Sequence, residues 1–150
     1  MKKFEFTLQP ILNLKEQSEK IEKEKLAKVM AEINVQKEEL RKLTNHLNEI
    51  LEKTKGEMEE GTTIHKIVES GVYVKKINQM IEGKKLLIKK LEKDADLIKE
   101  NLLKVTKEKK ALENLKEKKF SEYQYLIAVE QNKFVDEQIS FRIAKSGFVK

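Results

Sequence analysis

Cysteine and tryptophan are missing from this 150-residue chain, proline occurs once, as Pro10, and glycine only five times. Without cysteine there is neither a disulfide nor a thiolate metal site. No apolar run approaches the roughly 20 residues of a membrane span, and no signal-peptide core follows Met1. The expectation is a soluble, cytoplasmic protein. Aromatics make up 6% of the chain and charged residues 39%, so a thick globular core is excluded. A narrow apolar seam along helices is the alternative that such a palette favours.

Catalytic groupings are lacking as well. His46 and His65 stand far apart, and neither has a second histidine at ligand spacing. His46-x-x-Glu49 alone is a weak signal. No G-x-x-x-x-G-K-[ST] loop is present to cradle a phosphate. Ser18, Ser70, Ser121, Ser140 and Ser146 have no histidine close in sequence to activate them. The expectation is a protein that is not an enzyme, with no cofactor, metal or small-molecule ligand.

Lys and Arg number 32 against 26 Asp and Glu, a formal net charge of +6. The excess is spread over both halves and mixed with acids, whereas nucleic-acid binders concentrate basic residues in a stripe. The basic groups "GKKLLIKK" and "KEKKALENLKEKK" fall inside patterned helix. They read as solvated faces, with an acidic-partner surface as the other reading, and no nucleic acid is expected.

Between Pro10 and Gly56 lie about 45 residues without a strong helix breaker, roughly 70 Å at the usual helical rise. From Leu26 the aliphatic series is Leu26, Val29, Ile33, Gln36, Leu40, Leu43, Leu47 and Ile50, the three-four alternation of a coiled coil. Before it, the apolar residues Leu8, Ile11, Leu14 and Ile21 leave a step of five to Leu26, which predicts a slip of phase. The stretch "KGEMEEGTTIHKIVESGVY" carries Gly56, Gly61 and Gly71, with Thr62 and Thr63 placed to cap a helix. A loop over about 56–71 holding a short helix near Thr63 to Ser70 is expected.

The second series is stronger. Val74, Ile77, Ile81, Lys84, Ile88, Leu91, Ala95, Ile98, Leu102, Val105, Lys109 and Leu112 keep strict three-four spacing, and ten of these twelve are apolar. Beyond Leu112 the phase drifts through Leu115, Phe120, Tyr123 and Leu126 to Ile127. Helix one over about 8–55 and helix two over about 72–145 follow, with Gly147 as a stop. The fold class is all-α: an antiparallel two-helix coiled coil in a single domain, its second helix longer with a C-terminal overhang. Gly83 inside helix two either weakens it or admits a close approach of helix one.

The aromatics form three groups: Phe4 and Phe6; Tyr73; and Phe120, Tyr123, Tyr125, Phe134, Phe141 and Phe148. Folding back places the first and third groups at the same end, with Phe4 and Phe6 beside Phe134 and Phe141. There they either cap the seam or anchor a partner.

The opening "FEFTLQPILNLKEQSEKIEKEKLA" and the tail "ALENLKEKKFSEYQYLIAVEQNKFVDEQISFR" resemble the two ends of the flagellar export protein FliJ family. In the tail the resemblance lies in Leu112 and Leu115, then Glu130, Lys133, Asp136, Glu137 and Arg142. It implies a coiled coil similar to the central stalk of rotary ATPases. Such a protein engages the hexameric flagellar export ATPase at the end that carries both termini. By position, the ATPase-facing candidates are Phe4, Phe6, Leu8, Ile11, Glu130, Lys133, Phe134, Asp136, Glu137 and Arg142. The family also implies the cytoplasmic domain of the large export-gate membrane protein and the chaperones of late export substrates as partners. That would associate the chain peripherally with the membrane-embedded apparatus. For the gate protein, Leu47, Ile50 and Leu51 facing Tyr73, Ile77 and Met80 are the candidates, with plain seam residues as the other reading. A stalk subunit of a vacuolar- or archaeal-type rotary ATPase and a generic coiled-coil scaffold are the alternatives.

Overall fold

In a computed structural model the chain is all-helical, with α1 spanning Gln9–Glu60 and α2 spanning Ile64–Gly147. The structure describes residues 2–147. Two compact units are formed, Met1–Ser18 with Lys104–Lys150, and Glu19–Leu103. In each, a segment of α1 packs against a segment of the longer α2, as in a helical hairpin. In the unit that holds the loop, His46 meets Tyr73, Lys84 meets Gln36 and Lys37 meets Glu92. Numbers rise on one helix as they fall on the other, so the pairing is antiparallel. The same holds in the unit that carries the termini, where Lys15 meets Glu108 and Phe4 meets Phe120.

The start of α1 matches the chemistry of Pro10. The carbonyls of Phe6 and Leu8 accept from the amides of Gln9 and Leu12, both at 3.0 Å. Pro10 therefore sits in the first turn, where its missing N–H would have had no helical partner.

The loop is shorter than the glycines suggest. Gly61, at φ +94°, follows the last residue of α1, and only Gly61–Thr63 separate the helices. Thr63 caps α2 by accepting from the amide of Lys66 at 3.3 Å. Gly56 and Gly71 are helical, which corrects the expected loop over 56–71 and its separate short helix. A helical glycine costs only about 1 kcal/mol relative to alanine. Here the inner face continues through it, with Thr54 donating to Ser70 Oγ at 3.2 Å.

The expected phase slip near Ile21 is absent. The inward positions are Leu8, just before α1, and then Leu12, Lys15, Glu19, Glu22 and Leu26, which keep the three-four spacing without a break. Ile11, Leu14 and Ile21 are exposed instead, and Leu12 is the buried aliphatic residue. Polar side chains can hold these positions because they are paired. Lys15 bridges to Glu108 at 2.5 Å, and Lys23 donates to Glu19 at 3.2 Å. Hydrogen bonding from Lys15 holds the Glu108 carboxyl below its ordinary range.

From Leu26 on, the predicted series is inward-facing at every position, and so are all twelve positions of the α2 series. Ile33, Ile77, Ile81, Ile88 and Ala95 form the buried core of the loop-bearing unit. Gly83 does not admit a close approach of α1, because a Cβ there would meet nothing within 4 Å. Gly83→Ala should therefore stabilise the chain by about 1 kcal/mol through helix propensity. Gly61→Ala should destabilise it by about 1–2 kcal/mol, the cost of a left-handed conformation for an L-residue. Thermal melts of the two variants, moving in opposite directions, check both statements.

Candidate functional site

The N-terminal segment enters the unit that carries both termini as an irregular strand of chain before α1. Phe4 is its anchor. Its ring lies edge-on to Phe120, with centroids 5.1 Å apart and planes at 68°. It is tilted against Tyr123 at 5.5 Å. Phe120 and Tyr123, on successive turns of α2, stack at 6.4 Å. The Tyr123 hydroxyl donates to the Lys2 carbonyl at 2.6 Å, so this tyrosine uses both its ring and its polar tip. Phe6 and Leu8 are half-buried along the same segment, and Ile11 is exposed.

This corrects the expectation that Phe4 and Phe6 sit beside Phe134 and Phe141. Lys2 and Phe4 already lie level with Phe120 and Tyr123, about three to four turns before Phe134. Phe134 and Phe141 are 62% and 66% exposed. From Ala128 to Gly147 every residue of α2 is exposed, and this stretch is the overhang. Met1 and Phe148 lie outside the described residues.

The other tail candidates, Glu130, Lys133, Asp136, Glu137 and Arg142, are all exposed on that helix. Glu130 and Phe134 line a shallow depression with Gln131 and Val135. Phe134 and Arg142 line the next one, with Val135, Gln138 and Ile139. Glu130 thus lies one turn before Phe134 beside one depression, and Arg142 lies two turns after it beside the next. The structure does not bring the N-terminal candidates to them.

Sequence reasoning missed one regularity. Phe120, Ile127, Phe134 and Phe141 recur every seven residues. Phe120 packs on Phe4 and Ile127 is half-buried, while the last two rings of the series are bare. The signal was present in the spacing, but it was masked by Tyr123, Tyr125 and Leu126 between the members.

The six gate-facing candidates divide. Ile77 is buried at 3% exposure, and Leu47 and Ile50 are half-buried in the seam. Leu51, Tyr73 and Met80 are exposed. Tyr73 stands edge-on to His46, at 90° and 6.0 Å, with its hydroxyl 3.1 Å from His46 Nε2. Met80 borders a shallow depression with Leu43, Lys42, Glu39 and Lys84. His65 pairs with Glu69 at 3.0 Å on an exposed turn. Among the described residues no cluster of three His, Asp or Glu side chains is arranged to hold a metal. No described helix is long and apolar enough to cross a membrane.

A family model described as the flagellar FliJ protein matches residues 4–147. The chain belongs to the flagellar FliJ protein family. No curated protein and no solved structure matches it significantly. Membership makes the chain a component of the flagellar export apparatus, within a family of non-catalytic helical hairpins.

Proposed function

We propose that this FliJ-family protein acts as a stalk for the flagellar export ATPase, with its termini-bearing unit seated in the ATPase hexamer. One observation carries the reading: α2 runs bare from Ala128 to Gly147 while presenting Phe134 and Phe141 to solvent. Two such rings, spaced by seven residues and bordered by Glu130, Glu137 and Arg142, suit docking against a protein wall. The packed trio of Phe4, Phe120 and Tyr123 braces the base of that helix. The exposed residues Leu51, Tyr73 and Met80 of the other unit are the candidate contact for the cytoplasmic domain of the export-gate protein, which would couple ring to gate. Escort of late-substrate chaperones and peripheral association with the membrane-embedded apparatus belong to the same reading.

The test is size-exclusion chromatography with light scattering, with and without the export ATPase. The full chain should co-elute with the hexamer. Deleting residues 2–8, or truncating after Glu130, should abolish co-elution while leaving most of the helical circular dichroism. Normal binding by both truncated proteins would overturn the ring-seated arrangement.

A further inference from the structure

Between Leu26 and Ile50 on α1 and between Val74 and Leu102 on α2, the seam is aliphatic apart from one layer. Gln36 on α1 is buried at 8% exposure, between the heights of Ile33 and Leu40. Across from it, Lys84 donates to Gln36 Oε1 at 2.7 Å and also to the Glu39 carboxylate. Gln36 uses its own amide to donate to Glu32 Oε1 at 2.8 Å. The neighbouring positions of α2 are Ile77, Ile81 and Ile88, all buried. Two polar side chains thus replace apolar ones at facing seam positions, and each supplies what the other lacks.

A seam with a seven-residue repeat has an ambiguity built into it. Sliding one helix by a heptad, about 10 Å, brings equivalent positions together again. For an all-aliphatic seam such slipped pairings repeat the same contacts, and the three-residue loop opposes them only through the residues that must unwind beside it. Gln36 and Lys84 remove the equivalence. A heptad slip in one direction sets Gln36 against Leu91 and Lys84 against Leu43. The opposite slip sets Gln36 against Ile77 and Lys84 against Val29. Either way an ammonium and an amide face aliphatic side chains, and burying polar groups without partners is costly. The rim reinforces the choice. Lys37 pairs with Glu92 at 3.5 Å, and the slips would place it against Lys85 or Lys99.

We infer that the Gln36–Lys84 layer is a register selector: it holds α1 and α2 of this unit at one of several heptad-related alignments. Its contribution is to specificity rather than to stability. A well-packed aliphatic pair in its place would hold the helices at least as firmly, since buried polar pairs contribute little net stabilisation. The register matters for function because it sets which residues of α1 lie level with Tyr73 and Met80.

The chain has no cysteine, so introduced thiols report without interference. Lys37→Cys is combined in turn with Glu92→Cys, Asn78→Cys or Lys99→Cys, and a short bifunctional thiol-reactive crosslinker is applied to each. In the otherwise unaltered chain only the 37–92 pair should give the intramolecular product. In Gln36→Leu/Lys84→Leu, the 37–78 or 37–99 product should rise from background to a share comparable with the 37–92 product, without loss of helicity or melting temperature. Exchanging the two residues, Gln36→Lys/Lys84→Gln, keeps the polar match and should restore crosslinking to 37–92 alone. Crosslinking confined to 37–92 in the double-leucine protein would overturn the inference. So would slipped products in the exchanged protein.

Discussion

Phe134→Asp combined with Phe141→Asp is expected to abolish capture by the hexameric export ATPase while leaving the melting temperature where it was. Both rings are more than 60% exposed on the part of α2 that no other described segment covers. Their removal takes nothing from the hairpin's own packing. At an interface, a buried aromatic anchor is commonly worth about 2 kcal/mol or more. Two of them correspond to roughly a thousandfold loss of affinity at 1.4 kcal/mol per tenfold. Charge alone must be separated from position. Tyr125→Asp with Asn132→Asp adds the same charge on the same helix, on the side away from the seven-residue series, and should bind as the parent does. Titration by fluorescence anisotropy with the ATPase hexamer decides the matter. Equal affinity of the two double variants would remove the Phe134 and Phe141 face from the proposed interface.

How far the chain could be read in advance depends on where polarity interrupts the apolar pattern. In α2 the seam from Val74 to Leu112 was legible because only Lys84 and Lys109 break an aliphatic series. In α1 the same three-four period runs on below Leu26, yet Lys15, Glu19 and Glu22 occupy it, so hydrophobicity pointed to Ile11, Leu14 and Ile21. Those residues lie on the outer face because pairing across and along the helices satisfies the polar ones. Gly56 and Gly71 misled in a different way. Their intrinsic cost of about 1 kcal/mol each is small against a continuing inner face. Gly61, by contrast, takes a conformation other residues avoid, and there the helix ends. The contact of Phe4 with Phe120 and Tyr123 had no periodic signature. It joins an irregular segment to a helix, and the alignment of such a pair is set by tertiary packing. Of the candidate ATPase-facing residues, the tail group stands on exposed helix as expected, whereas the N-terminal group is largely committed to the chain's own packing.

That packing makes the largest stability effect easy to place. Ile88→Asp should melt the loop-bearing unit, whereas Leu86→Asp, two residues away, should be nearly silent. Ile88 is 7% exposed and Leu86 68%, although both are aliphatic residues of one helix. Truncating a buried isoleucine to alanine costs about 2–5 kcal/mol. An aspartate at that position also buries a carboxylate in the seam, a cost that Lys84, one turn before it, offsets only in part. Against a total stability of about 5–15 kcal/mol, the sum removes most or all of the folding free energy. A surface change such as Leu86→Asp stays within about 0.5 kcal/mol plus a small propensity cost. The seam here is one residue wide on each helix, so no second layer compensates for a lost Ile88. Circular dichroism melts, with hydrogen exchange followed separately for residues 19–103, give the readout. If Ile88→Asp kept its protection factors across Ile77 to Ile98, the buried stripe would not be what holds the two helices together. If Leu86→Asp lost them as well, the outer face of α2 would carry a structural role that its exposure does not suggest.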